Sequence, residues 1–457
     1  MEHRQNMNSN AKVFALVGMV VAALLAMHFL PALSFEGTEL RPVNLLSDVL
    51  PEVEDEAVVA DVVPEPPKSA KKHFVPYHPK GVVLIEDFAE GKAGGMDHIY
   101  EKLLHADHQS SIHIAYFGDS FIEGDIMTCD LREDLQAKYG GQGPGWVDCG
   151  GSLSGYRPTV KTNYSGIQEF VVTKKPFNSS LQAISQRYYV ASAGAQLKLT
   201  GTNYKAHLGE WGRATLFFRS PATQTVSVVK NGGEAESMER GGSAEVQTIV
   251  ASGKLKSVQF RFPSANSRMQ LMGVALDGDY GVSLDNFSMR GSAGFTIADI
   301  PATTLREIGK YRPYDLIIVQ YGLNAIGGNG SVAQCEAYTK RLKKAVEHLR
   351  AAYPESSILI ASVSDRVQRS SGGLQPMKGL QRLAVAQRKM AAELGVGFIS
   401  MVDVMGGPGS MKEFVEKGWA AKDYTHMSFK GGKVVADRFF QSILAGVENY
   451  RRANATE

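Results

Sequence analysis

The sequence predicts an α/β fold with a parallel sheet, interrupted by an inserted antiparallel β-sandwich and preceded by an N-terminal transmembrane helix. Three observations carry this expectation. Short apolar runs alternate with helix-period stretches over 81–150 and again after 285, the pattern of buried strands covered by helices. Between them, over 151–284, Thr/Val/Tyr-rich alternating segments follow one another with little helix, cut by turn signals such as Asn231-Gly232-Gly233 and Gly241-Gly242, as in a sandwich. At the start, residues 13–30 form an apolar run interrupted only by His28, and about 20 such residues span a bilayer.

In chain order, residues 1–34 read as a signal anchor. Arg4 and Lys12 precede the apolar run and acidic residues follow it, which places the body outside the cytoplasm, in the periplasm or beyond, on a single-pass inner-membrane anchor. Cleavage after Ala32-Leu33-Ser34 would release a secreted body instead. Residues 35–80 read as an extended tether. They carry Pro51, Pro64, Pro66 and Pro67, the acidic cluster Glu52, Glu54, Asp55 and Glu56, then Lys68, Lys71 and Lys72. The first α/β segment, 81–150, predicts strands at 82–85 and 112–117. It also predicts helices at 96–105 and through Leu131, Leu135 and Tyr139, the latter ending at Gly140-Gly141. The insert, 151–284, predicts short strands at 186–191, 196–200, 214–218, 225–229, 246–250 and 257–262. The second α/β segment, 285–457, predicts strands at 316–321, 357–362 and 397–402, with helices at 332–352, 377–394 and 430–450.

A chain of 457 residues has ample core for two or three domains. Lys+Arg 49 against Asp+Glu 47 leaves no basic excess for nucleic acid. Of the three cysteines, Cys129 and Cys149 either pair in an oxidising compartment or remain buried thiols with Cys335. No Cys/His cluster has metal-ligand spacing, so neither a metal nor an organic cofactor is expected.

Gly118-Asp119-Ser120 stands where the 112–117 strand gives way to a helix-reading segment. That position exposes the serine hydroxyl and offers its N–H, read as a helix N-terminus, to a developing oxyanion. Asp423 and His426, three apart, precede the last helix; the carboxylate can fix the imidazole tautomer while the other ring nitrogen takes the serine proton. Asn324, in Gly322-Leu323-Asn324, follows another strand and has an amide to give to an oxyanion. A glycine in the stretch 288–294 can add a backbone N–H. All these groups fall at strand carboxyl ends, where open α/β folds gather their sites.

At these residues the chain resembles the SGNH (GDSL-type) hydrolases, whose blocks are Gly-Asp-Ser, a glycine, Gly-x-Asn-Asp and Asp-x-x-His. The resemblance covers about 280 residues and implies a flavodoxin-like three-layer domain. It implies Ser120 as nucleophile, Asp423 and His426 as its partners, and Ser120, Gly291 and Asn324 as oxyanion donors. Gly294 is the other candidate for the glycine block, and Ala325 stands where the third block usually has aspartate. A sandwich inserted between the first two blocks of an exported chain looks like the peptidoglycan O-acetylesterase group. The implied activity is ester hydrolysis on an acetylated envelope polysaccharide. Transfer of the acetyl group, lipid or thioester hydrolysis on the same triad, and a non-catalytic glycan-binding role are the rival readings. Residue by residue, plainer roles compete: Ser120 or Asp423 as helix caps, His426 as a solvated loop residue, and Asn324 as a turn residue. Glu123 and Asp125 read as capping or solvating groups. Tyr188, Tyr189, Tyr204, Trp211, Phe217 and Phe218 read as core before they read as a sugar-stacking surface.

Overall fold

The computed structural model describes residues 14–20, 34–35, 38–39, 64–65 and 75–455, apart from 108, 266–267, 328 and 371. Two units are distinguished, Met1–Asp61 and Val62–Glu457. Within the first, residues 14–20 are helical, and Ser34–Phe35 pairs antiparallel with Thr38–Glu39. Most of the expected 1–34 anchor and 35–80 tether lies outside the described residues. Among those described, no helix is long and apolar enough to cross a membrane.

The second unit contains two sheets. Its first elements are β1 (Glu86–Asp87), α1 (Asp97–Leu104), β2 (Ser111–Gly118), α2 (Thr128–Tyr139) and β3 (Gly145–Val147). The strand expected at 82–85 is displaced: that stretch is unpaired, and only Glu86 and Asp87 enter a ladder. An antiparallel group follows: β4 (Val160–Val171), β5 (Arg187–Gly201), β6 (Trp211–Ser220), β7 (Gln224–Lys230), β8 (Ala235–Arg240), β9 (Ser243–Leu255), β10 (Ser257–Phe262) and β11 (Gln270–Asp277). The α/β alternation then runs through β12 (Gly281–Ser288), α3 (Ala302–Tyr311), β13 (Leu316–Gln320), α4 (Val332–Ala352) and β14 (Ser357–Ala361). After a small hairpin, β15 (Val367–Ser370) with β16 (Gly373–Pro376), come α5 (Lys378–Leu394), β17 (Gly397–Ile399), α6 (Met401–Met405), α7 (Ser410–Glu416) and α8 (Phe429–Ala453).

The first sheet has the order β12-β2-β13-β14-β17-β1, parallel except for the β17–β1 edge. Counted in chain order, its five parallel strands lie 2-1-3-4-5, so the chain winds outward from β2 in both directions. The topological switch point, where such sheets place their sites, is therefore the carboxyl end of β2. Every residue of β13 and β14 is buried, as strands covered on both faces require. Helices α1, α2 and α8 pack as one group, and α3, α4 and α5 as another. The run 397–402 is divided: β17 stops at Ile399, Ser400 accepts a hydrogen bond from Asp403 N, and Met401 opens α6.

The second sheet departs from the expected two-sheet sandwich. Its nine strands form one continuous antiparallel ladder, β8-β7-β10-β5-β11-β6-β9, with β4 on β5 and β3 on β11. The segments 186–191 and 196–200 are a single strand, β5, carried past a bulge opposite Gly166, where φ is +67°. A second register shift lies between Ser252 and Leu255 of β9. Bulges bend strands, and here they let one sheet curl almost into a barrel. Leu197, Leu199, Leu216, Phe218, Val226, Val228, Phe260 and Val274 fill its interior. The return to the parallel sheet falls between Asp277 and Gly281, a few residues before the boundary drawn at 284. All three cysteines are buried and unpaired.

Candidate active site

Parallel register brings three loops to one place. Gly118 of β2 lies beside Ser288 of β12 on one side and Gln320 of β13 on the other. The residues that follow, Asp119-Ser120, Met289 to Ser292, and Tyr321 to Asn324, therefore emerge together. Met289 N donates to Gly118 O at 2.8 Å. The Asn324 amide Nδ2 donates to Ser292 O at 3.2 Å and to Asp119 Oδ2 at 3.3 Å.

The fourth contribution comes from the loop before α8. Met427 bridges Ala420, Ala421 N donates to His426 O at 2.8 Å, and Tyr424 turns the chain at φ +55°. Asp423 Oδ1 accepts from the backbone N–H of Thr425 and of His426, both at 3.0 Å, and Oδ2 lies 2.7 Å from His426 Nδ1. That carboxylate makes Nδ1 the donor and leaves Nε2 as an acceptor. Nε2 is 3.1 Å from Ser120 Oγ. Ser428 caps α8 by accepting from Gly431 N. Gly431 and Gly432 let the helix start close in, because a Cβ would come 2.0 Å from Trp419 O in the first case and 2.6 Å from Met127 N in the second.

The structure thus brings Ser120, Asn324, Asp423, His426 and the glycine loop together. Gly291 sits at φ +74° in a turn closed by Ser292 N donating to Met289 O at 3.1 Å. Gly294 has another task. Its N–H donates to Ser292 Oγ at 3.0 Å, and a Cβ there would meet Tyr321 and Leu342 at 2.8 Å. One expectation fails: Ser120 does not open a helix. A turn and a single 3-10 turn, Glu123–Asp125, separate it from α2, which begins at Thr128.

Of two buried neighbours of the serine, Asp119 had no role in the sequence reading and Asp125 only a surface one. Asp119 is 2 % exposed, and its Oδ1 accepts from Phe121 N at 2.9 Å. Burial pushes its carboxyl up to about 6 against the opposing pull of the Phe121 N–H, His426 and Asn324. Its place before Ser120 was the only signal available. Asp125, read as a solvated cap, is fully buried. Arg132 holds it with two bonds of 2.9 Å, Thr128 and Thr159 donate at 2.7 and 2.6 Å, and Arg157 at 3.2 Å. Burial alone would raise this carboxyl, but Arg132 and Arg157 hold it well below the usual carboxylate range. At Asp423 the hydrogen bonds from His426 and Thr425 likewise outweigh partial burial and hold the carboxyl low. Of the six aromatics read as core, Tyr188, Tyr189, Trp211, Phe217 and Phe218 are buried; Tyr204 is part-exposed against the Phe429 ring.

The model of the GDSL-like Lipase/Acylhydrolase family matches residues 261–433, a span that holds Gly291, Asn324, Asp423 and His426, with Ser120 before it. Over residues 261–433 the chain is similar to that family, and match and fold together mark it as a carboxylic ester hydrolase. Within that class it resembles a solved peptidoglycan O-acetylesterase, with a TM-score of 0.65 at 22% identity over 80% of this chain and 99% of that one. A family two carbohydrate esterase from Clostridium thermocellum, in complex with cellohexaose, gives 0.28 at 10% identity, over 57% of this chain and 95% of that one. The salicylyl-acyltransferase SsfX3 from a tetracycline biosynthetic pathway gives 0.29 at 12% identity, over 63% and 97%. No curated protein matches the chain.

Proposed function

We propose that the chain is a serine esterase that removes O-acetyl groups from a cell-envelope glycan, peptidoglycan first among the candidates. The observation that carries this is the unbroken relay Ser120 Oγ, His426 Nε2, His426 Nδ1, Asp423 Oδ2, at 3.1 and 2.7 Å. His426 takes the proton as Ser120 attacks the acetyl carbonyl, while Asp423 stabilises the imidazolium. The N–H groups of Ser120 and Gly291 serve the oxyanion, and the Asn324 amide joins them by releasing its 3.3 Å bond to Asp119 Oδ2. The choice of Gly291 over Gly294 follows from the N–H that Gly294 already gives to Ser292. His426 returns the proton to the departing sugar oxygen, and water attacking the acetyl-enzyme releases acetate and restores Ser120.

The glycan half of the reading draws on the likeness to the peptidoglycan O-acetylesterase, and on the exported, tethered topology that residues 1–80 suggest: an inner-membrane anchor with the body outside the cytoplasm. Against a non-catalytic role stands the Ser120–His426 separation, which is within hydrogen-bond reach. Acetate release by the full chain from O-acetylated peptidoglycan, compared with acetylated xylan, tests the proposal. Ser120→Ala is expected to lower release by at least a thousandfold with folding intact; an undiminished rate removes Ser120 from the mechanism.

A further inference from the structure

The turn that carries Gly291 is anchored at both ends and open in its middle. At one end Met289 is 2% exposed, and its N–H donates to Gly118 O at 2.8 Å. At the other end Ser292 is 8% exposed. Its O accepts from the Asn324 amide at 3.2 Å, its Oγ accepts from Gly294 N at 3.0 Å, and its own N–H closes the turn on Met289 O at 3.1 Å. The peptide between Arg290 and Gly291 has no such packing. A Cβ on Gly291 would meet nothing within 4 Å, and the Arg290 side chain is 59% exposed. Yet this peptide carries the Gly291 N–H offered to the oxyanion.

The turn that carries Ser120 is built more firmly. Asn286, on β12, donates to Ile122 O and to Thr128 Oγ1, both at 2.7 Å, and accepts from Ser288 N at 3.0 Å. Glu123 N donates to Ser120 O at 3.4 Å, so Glu123 and the serine belong to one hydrogen-bonded turn. The Glu123 side chain, expected to cap or to be solvated, is only 16% exposed. Its Oε2 accepts from Arg290 Nη1. Among the described residues this ion pair is the one side-chain tie on the middle of the Gly291 turn. With one partner well exposed, it adds little to stability, so its worth lies in where it holds the turn.

We infer that Arg290 is a positioning residue for ester hydrolysis: paired with Glu123, it clasps the middle of the Gly291 turn to the turn of Ser120. The clasp holds the Gly291 and Ser120 N–H groups, which belong to different loops, on a single oxyanion. Such donors must converge within about 2.7–3.1 Å of one oxygen, and a displacement of about 1 Å costs roughly a hundredfold in rate. Both donors act on the transition state more than on the bound ester, so the clasp governs kcat rather than KM. The inference rests on the catalytic reading of Ser120 and Gly291 given above.

The test is steady-state hydrolysis of 4-nitrophenyl acetate, a small neutral ester, by the full chain, with thermal unfolding reporting that each variant is folded. Arg290→Ala is expected to lower kcat about tenfold or more, with KM changed by no more than about threefold and the melting temperature little altered. Glu123→Ala is expected to act alike. The double variant is expected to lose no more than the worse of the two, because both changes open the same clasp. An unchanged kcat in Arg290→Ala, a change in KM alone, or losses that multiply in the double variant overturns the clasp. Any of these results beside hydrolysis that needs Ser120 defeats the clasp alone. Hydrolysis absent from the parent, or persisting in Ser120→Ala, defeats the catalytic reading instead.

Discussion

Asp119 touches the serine's neighbours from a position that disfavours its own charge. Its carboxyl is raised from 3.8 to about 6, chiefly by burial, yet its Oδ2 must accept from the Asn324 amide. Between 3.8 and about 6 the folded chain holds a proton that the unfolded chain has released. Stability therefore falls as pH rises through that window, by about 3 kcal/mol in all. Asp119→Asn removes the titration. Whatever the variant loses in hydrogen bonding, its stability relative to the parent is expected to improve by about 2.4 kcal/mol between pH 4 and pH 7.5. Denaturant titration at the two pH values checks this, and a constant difference would show that Asp119 carries no such penalty. The same substitution sets a second N–H against the Asn324 amide, so kcat is expected to fall while stability improves. Asp423→Asn acts differently. Its side chain is 49% exposed, so stability is expected to change little, but an amide no longer fixes the His426 tautomer. A fall in kcat of about 10²–10⁴ with KM little altered is expected from steady-state kinetics on the acetylated glycan.

At the scale of elements, α8 shows why a helix can begin with a weak helix former. Replacing glycine by alanine inside a helix ordinarily stabilises by about 1 kcal/mol. At Gly431 the new Cβ would sit 2.0 Å from Trp419 O, a backbone atom that moves only by shifting the loop that holds Asp423 and His426. Gly431→Ala is therefore expected to destabilise, by about 1–3 kcal/mol of overpacking, and to lower kcat as well. A rise in melting temperature would contradict the close approach. Helices of this chain were legible wherever local signals sufficed: α4 starts at the Ser331–Gln334 capping box and ends near the predicted residue. The blocks around Ser120, Asn324 and Asp423–His426 were legible for the same reason, because each lies within a few residues of a strand or helix end. What escaped was set by distant partners. Residues 82–85 are apolar enough for a strand but find no neighbour. The bulge that keeps β5 continuous depends on Gly166 across the ladder. Asp125 looks like a surface cap until Arg132, Arg157 and Thr159 converge on it, and no spacing rule announces that convergence.

At the scale of the whole second unit, the curled sheet is buried on both faces along β6 and β11. Along β6, Leu216 and Phe218 point into the interior of the curled sheet, whereas Phe217 between them joins the core of the parallel sheet. On β11 the alternation repeats: Leu271, Val274 and Leu276 face inward, Met272 and Ala275 face the other core. Trp146 packs with Phe217 at a ring separation of 5.0 Å and with Phe287 of β12 at 5.7 Å, which carries aromatic contact from one sheet to the other. An ionic knot lies at the same seam. Arg312 reaches Asp277 of β11 at 2.6 Å and Asp285 of β12 at 2.6 Å, and Asp285 also accepts from Tyr314 OH and Trp146 N, each at 2.7 Å. Removing the cation leaves two buried carboxylates without their partner, so Arg312→Met is expected to cost about 3–5 kcal/mol. Because this seam is core for both sheets, neither has an apolar surface it can expose alone, and the two are expected to unfold as one cooperative step. The composition of the unit makes this measurable in a Trp419→Phe background: its described α-helices lie on the parallel-sheet side, while the two tryptophans that remain, Trp146 and Trp211, lie on strands of the curled sheet. Helical circular dichroism and tryptophan fluorescence then follow the two parts separately during denaturant unfolding. Coincident transitions are expected in the parent, and a coincident shift to lower denaturant in Arg312→Met. Fluorescence that persists after the helical signal is lost would mean that the curled sheet folds on its own core, with the seam a contact between independent domains.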